Sequence, residues 1–194
     1  VPKDEVKRQC YEEGKNKLLE HGYHEIGMDH FALERDSMYQ SFKDGTLHRN
    51  FMGYTASKTQ VMIGLGISSI SDSWYSFAQN VKTLEEYYDQ LEQHQIPVFK
   101  GHILNQEDLI IRKHILNLMC TFTTSWEHAE MKFPEIDVVL SQLEEMQHDG
   151  LIKIADSTVT ILEAGKPFVR NICMAFDLRL KRKMPENRIF SMTI

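Results

Sequence analysis

Residues 105–122 carry the pattern that most limits what this chain can fold into. Asn105 is a favourable helix N-cap, and Glu107 and Asp108 place negative charge in the first turn. Ile110, Ile111, His114, Ile115, Leu118 and Met119 then recur at helical spacing up to about Phe122. A stripe this wide must be covered, so the helix needs another layer against it. The residues that follow offer one. A helix is predicted from about Ile136 to His148, stopped at Gly150. Leu151 to Leu162 alternates around Asp156-Ser157 and predicts a β-hairpin, and a last helix spans about Ala164 to Lys183. Helix, hairpin, helix is the order of a winged-helix module.

Upstream of Pro97 the character differs. Residues 3–20 predict a helix with Val6, Cys10, Gly14 and Leu18 as its stripe, and Gly22 stops it. Tyr23 to Met28 predicts a strand, and helix then strand is half of a β/α repeat. Ser37 to Lys43 predicts a short helix ended by Gly45, and His48 to Thr55, without clean period, a loop. Residues 61–71 predict a buried strand with two glycines and a turn, followed by a short strand at Tyr75 to Phe77. Thr83 caps a helix through about His94, with Leu84, Tyr87, Tyr88 and Leu91 on one face. Val98 to Ile103 predicts a strand leading away. The chain reads as α+β in two units, residues 1–97 and 98–194.

Composition narrows the function classes. Hydrophobic residues make up 42% of the chain, enough for a real core. The net charge of −6 argues against a surface built for nucleic-acid phosphates, and Arg179, Lys181, Arg182 and Lys183 read as a solvated helix end. No apolar run reaches membrane-helix length, and Val1-Pro2-Lys3-Asp4-Glu5 has no signal-peptide pattern. Cys10, Cys120 and Cys173 are widely spaced, which argues against a metal or cluster site made of cysteine alone and fits a reducing cytoplasm.

Two motifs are chemically suggestive. Gly64-Leu65-Gly66 follows a strand, but Ser69 stands where the third glycine of a dinucleotide fingerprint belongs. The two glycines serve either a close backbone approach or a flat cofactor passing nearby. Asp29-His30, just past a predicted strand, and His48-Arg49-Asn50 on a following loop have the residue types for metal binding or acid–base work. With nine histidines in the chain, this pairing also arises by composition alone.

Taken in order, three segments are more specific. They are Ile26-Gly27-Met28-Asp29-His30-Phe31-Ala32, His48-Arg49-Asn50-Phe51-Met52-Gly53-Tyr54-Thr55 and Gly64-Leu65-Gly66-Ile67-Ser68-Ser69-Ile70-Ser71. Gln79-Asn80 and the block Val169-Arg170-Asn171-Ile172-Cys173-Met174-Ala175-Phe176-Asp177 accompany them. Together they resemble the oxygen-independent coproporphyrinogen oxidases over nearly the whole chain, with Met52 in place of the usual Gln and Lys100 in place of the usual Arg.

The resemblance implies an enzyme of haem synthesis. It converts coproporphyrinogen III to protoporphyrinogen IX by turning two propionates into vinyl groups, using S-adenosylmethionine and a 4Fe–4S cluster. It implies the C-terminal part of a radical-SAM barrel, left incomplete, followed by a mostly helical unit. The family's cluster ligands, a CxxxCxC-type set, are absent here, so the fragment alone is expected to be inert, to need the missing N-terminal half and to self-associate. Ile70 corresponds to a residue placed against S-adenosylmethionine, with Gly64 and Gly66 on the same stretch. Asp29, His30, His48, Arg49, Phe51 and Tyr54 are candidate substrate contacts, the two basic residues for carboxylates and the aromatic ones for the macrocycle. A radical-SAM-like haem-binding chaperone is the alternative, and Met28-Asp29-His30-Phe31 with His-Arg-Asn-Phe-x-Gly-Tyr favours the oxidase.

Overall fold

The computed structural model describes residues 4–182. Lys3 and Lys183, at the outer ends of the first and last expected helices, lie outside the described residues. Helix α1 (Asp4–Glu20) leads into β1 (Tyr23–Gly27), as the sequence predicts, but β1 pairs antiparallel with β2 (His30–Leu33). Every strand pairing among the described residues is antiparallel, in small sheets. The docked face of α1 also differs from expectation. Val6 and Cys10 are exposed, whereas Tyr11 donates to Glu25 and to the Met28 carbonyl, and Lys15 pairs with Glu25 at 2.6 Å. Polar anchoring one turn apart, at Tyr11 and Lys15, outweighs the weaker apolar stripe.

Helix α2 (Ser37–Lys43) has the predicted limits, because Asp36 caps it by accepting from Met38 N. The expected loop at 48–55 is instead a hairpin of β3 (His48–Asn50) and β4 (Gly53–Thr55). Gly53 takes φ +129, which lets the chain reverse within two residues and puts Arg49 opposite Tyr54. The expected strand at 61–71 shrinks to β5 (Ile70–Asp72), with one isolated bridge from Met62 to Asp72. Gly66 at φ +92 and Ser68 at φ +58 turn the backbone and prevent an extended run. β6 (Ser76–Asn80) joins β5 to β7 (Val98–Ile103), with α3 (Leu84–Glu92) between β6 and β7 in sequence. Thr83 caps α3 as predicted, but none of its residues is buried.

Helix α4 (Gln106–Thr121) starts at the expected N-cap, Asn105, which forms a capping box with Asp108, and ends with Phe122 in the left-handed region. A strand the sequence did not suggest, β8 (Thr123–Ser125), follows it. After α5 (Ile136–His148), strands β9 (Ile152–Ala155) and β10 (Thr158–Ile161) form the predicted hairpin, and β8 adds to its free edge. Asp156 at φ +48 and Ser157 at φ +61 give the two left-handed positions that a two-residue hairpin requires.

The single last helix that was expected is broken into a 3₁₀ stretch (Glu163–Phe168), α6 (Val169–Phe176) and α7 (Leu178–Arg182). Pro167 lies in the 3₁₀ stretch, and Asp177 leaves helical geometry and accepts from Leu180 N, so it restarts the chain as a cap. These elements enclose a core that includes Leu118, Leu143, Val159, Ile172 and Phe176. His114 is fully buried there, bonded through Nδ1 to Thr124 and through Nε2 to the Met131 carbonyl, each at 2.8 Å. Burial lowers its pKa, so the ring stays neutral, with Nε2–H donating and Nδ1 accepting.

Candidate functional site

Two hairpins meet on Tyr54. The β1–β2 hairpin brings His30 edge-on to the Tyr54 ring, with centroids 5.0 Å apart. The β3–β4 hairpin sets the Arg49 guanidinium 4.8 Å from the centroid of the same ring. Tyr54 is 6% exposed and donates from its hydroxyl to the Met119 carbonyl of α4 at 2.9 Å. Burial pushes its pKa up to about 12, so the phenol keeps its proton. Gly27 and Gly53 make this closeness possible. A Cβ on Gly27 would lie 2.7 Å from the Tyr54 hydroxyl, and one on Gly53 2.8 Å from His30 Nε2.

Arg49 Nη1 is buried with no hydrogen-bond partner among the described residues. A buried, unpaired donor on a permanent cation is costly, and an acceptor that reached it would relieve that cost. His30 Nδ1 lies 2.8 Å from Asp29 Oδ1, within ion-pair reach but off the hydrogen-bond direction, and the Asp29 side chain is largely exposed.

His48 and Phe51 point elsewhere. Burial lowers the His48 pKa, and Arg112 and Lys58 lower it further, so the imidazole favours its neutral form. Arg112 is a residue the sequence gave no reason to select. It bonds Asp72 at 2.6 Å and the Trp74 carbonyl at 3.0 Å, and lies against the rings of Trp74 and Phe77. Phe51, half-exposed, meets Phe77 edge-to-face at 5.1 Å, so the hairpin tip rests on β6. Asp72 and Arg112 are far apart in sequence and carry no local signal of their pairing.

The glycine-bearing stretch forms its own loop. Asn80 donates from its side-chain amide to the carbonyls of Gly64 (3.1 Å) and Gly66 (2.8 Å), while the Tyr87 hydroxyl accepts from Gly66 N. A Cβ on Gly64 would lie 2.8 Å from the Ile70 carbonyl oxygen. Gly64 thus makes a close backbone approach, whereas Gly66 serves the turn through its φ of +92. Ile70 is half-buried and pairs with Gln79. The structure thus gathers His30, Arg49 and Tyr54, with Asp29 at the rim, and leaves His48, Phe51, Ile70, Gly64 and Gly66 in neighbouring but separate settings.

The cysteines do not form a cluster site. Cys10 is exposed, while Cys120 and Cys173 are buried with their thiol pKa values pushed up by burial to about 11 and about 12. Among the described residues no group of three or more His, Cys, Asp or Glu side chains is placed to hold a metal ion, so these residues do not fit an iron–sulfur cluster. No described helix is long and apolar enough to cross a membrane.

No protein-family model matches the chain. The oxygen-independent coproporphyrinogen III oxidase of Synechocystis is 36% identical over 203 residues, covering 100% of this chain and 43% of that protein. The enzyme of the same name from Escherichia coli is 33% identical over 188 residues, covering 94% of this chain and 41% of the relative. A solved Escherichia coli coproporphyrinogen III oxidase, described as a radical SAM enzyme, superposes with a TM-score of 0.85 at 33% identity, over 92% of this chain and 42% of that one. The chain therefore spans well under half the length of each of these relatives.

Proposed function

Because the chain is homologous to a segment of the oxygen-independent coproporphyrinogen III oxidases, we propose that it is the C-terminal, substrate-facing part of such an enzyme. In this reading residues 1–97 complete one end of a radical-SAM barrel and residues 98–194 form the helical unit beside it. The parent protein oxidatively decarboxylates two propionates of coproporphyrinogen III to vinyl groups, giving protoporphyrinogen IX. The cluster ligands belong to the N-terminal half of the parent. S-adenosylmethionine would supply the radical chemistry when bound there, and Ile70, with Gly64 and Gly66 on the same stretch, would border it.

One observation carries the substrate assignment: the buried, unpaired Nη1 of Arg49. A propionate carboxylate is the acceptor it lacks, and an arginine fork holds a carboxylate in a fixed direction. Tyr54 keeps the guanidinium in place from below. His30 and Asp29 form the rim beside it, the imidazole ring offering flat surface to the macrocycle and Asp29 an acceptor for pyrrole N–H groups.

The test is anaerobic conversion of coproporphyrinogen III by the cluster-reconstituted full-length parent, beside this chain alone. Product from the parent and none from the chain is expected. In the parent, Arg49→Gln should raise KM at least tenfold while lowering kcat less. Unchanged KM and kcat would remove the carboxylate role from Arg49. An intact parent that makes no product yet binds haem stoichiometrically would overturn the oxidase reading in favour of a haem chaperone.

A further inference from the structure

A second concavity adjoins the base of the β3–β4 hairpin. It has a volume of about 580 Å³ and sits between the start of β3, the 58–61 stretch, the 73–75 turn and one face of α4. Lys113, Leu116, Asn117, Cys120 and Thr121 from α4 line it, spaced i, i+3, i+4, i+7 and i+8, so a whole helical face opens onto the cleft. Such volume is typical of small-molecule sites.

The lining is one-sided in charge. Lys58, Lys113 and His48 are its ionisable basic groups, and no aspartate or glutamate lines it. Neither lysine has an ion-pair partner among the described residues. The carboxylate nearest in effect, Asp72, is already held by Arg112. Burial pushes up the thiol of Cys120 in the lining, and Arg49 and Lys58 act against that rise. Leu47, Val61, Trp74 and Leu116 give the remaining wall an apolar character.

Two mobile ammonium groups on flexible stems, without an arginine fork, select for charge rather than for the geometry of a phosphate. We propose that this cleft is a binding site for a small amphipathic carboxylate, its flat apolar body against Trp74 and Leu116 and its anionic head between Lys58 and Lys113. The site is independent of the reading above and requires neither the cluster nor the porphyrinogen.

The experiment uses the 194-residue chain carrying Trp126→Phe, which leaves Trp74 as its sole tryptophan. The probes are 2-naphthoate and its neutral isostere 2-naphthamide, titrated at low salt while Trp74 fluorescence is followed. Naphthoate should quench Trp74 and bind at least tenfold tighter than the amide. In Lys58→Gln/Lys113→Gln, with an unchanged circular dichroism spectrum, that preference should fall below threefold while amide affinity stays within twofold. Equal affinity for the two probes would overturn the proposal, as would a preference that survives the double substitution or the absence of Trp74 quenching at millimolar probe.

Discussion

Between Ile110 and Leu178 the chain gathers fifteen buried apolar residues into one cluster, whereas the cluster of the preceding stretch holds five, one of which, Cys120, is contributed by α4. The two regions are built on different plans. In the first, α4, α5 and α6 surround the β8–β10–β9 sheet, and each element has a neighbour for its apolar face. In the second, the β5–β6–β7 sheet contributes no residue to either cluster, and Ile63, Leu65, Tyr88, Phe99 and Ile103 are exposed beside it. A region that encloses its own core gains stability from burial directly. A region that leaves large apolar side chains in water has a surface suited to being covered. The candidate site lies on the seam: Tyr54, from β4, is fixed by the Met119 carbonyl of α4.

The largest expected effect tests the self-sufficiency of the helical region. Phe176 is 0% exposed and stacks on the buried His114 with centroids 5.4 Å apart. Phe176→Ala should therefore cost about 3–5 kcal/mol of unfolding free energy in urea titration. A loss below about 1 kcal/mol would mean that this core is not the main source of stability and would dissolve the contrast between the regions.

A middle-sized effect concerns how the same region is tied at its end. Asp108, in the first turn of α4, accepts from Arg179 Nε at 2.5 Å and Nη2 at 2.8 Å, and also completes the capping box. The bonds from Arg179 lead in holding its carboxyl below the ordinary value of 3.8. A depressed folded-state pKa means stability that is present above the unfolded value and lost as pH falls below it toward the folded one. The arginine side chain is 40% exposed, so solvent weakens the pair. Asp108→Asn should cost about 1–2 kcal/mol at neutral pH. It should also flatten the fall in stability between about pH 4 and the folded pKa. An acid limb identical to that of the wild type would show that Asp108 is not tied as described.

These differences explain which parts of the fold were legible in the sequence. Ser37–Lys43, Val98–Ile103 and Ile136–His148 match their predicted limits because local features set their ends, such as the Asp36 cap of α2 and the glycine after α5. The β3–β4 hairpin was not legible. Its period is too short to read, and its geometry depends on Gly53 and on a cross-strand pair, Arg49 with Tyr54. The broken last helix hid behind a continuous apolar pattern that only Pro167 and Asp177 interrupt. For the candidate site, the likeness of three ordered segments to a family drew attention to His30, Arg49 and Tyr54, which no periodicity would have joined. Arg112, Asp72, Lys58 and Lys113 stayed invisible because what unites them is tertiary: one ion pair and one cleft wall, assembled from segments distant in the chain.

The smallest effect on stability should come from the uncovered surface, and it sharpens the comparison from the other side. Leu65 lies between the two glycines of the Asn80-clasped loop and is 82% exposed, so replacing it removes almost no buried area. Leu65→Asp should change unfolding free energy by no more than about 0.5 kcal/mol. Yet a charge in the middle of an apolar surface opposes any association that covers it. The wild-type chain should therefore self-associate as its concentration rises in light scattering, and Leu65→Asp should move it toward monomer without moving its urea midpoint. A wild-type chain that stays monomeric at high concentration would show that this surface tolerates water and does not require cover. A large loss of stability in Leu65→Asp would show instead that the loop is packed in solution, which would erase the distinction between an enclosed region and an open one at the residue where it is sharpest.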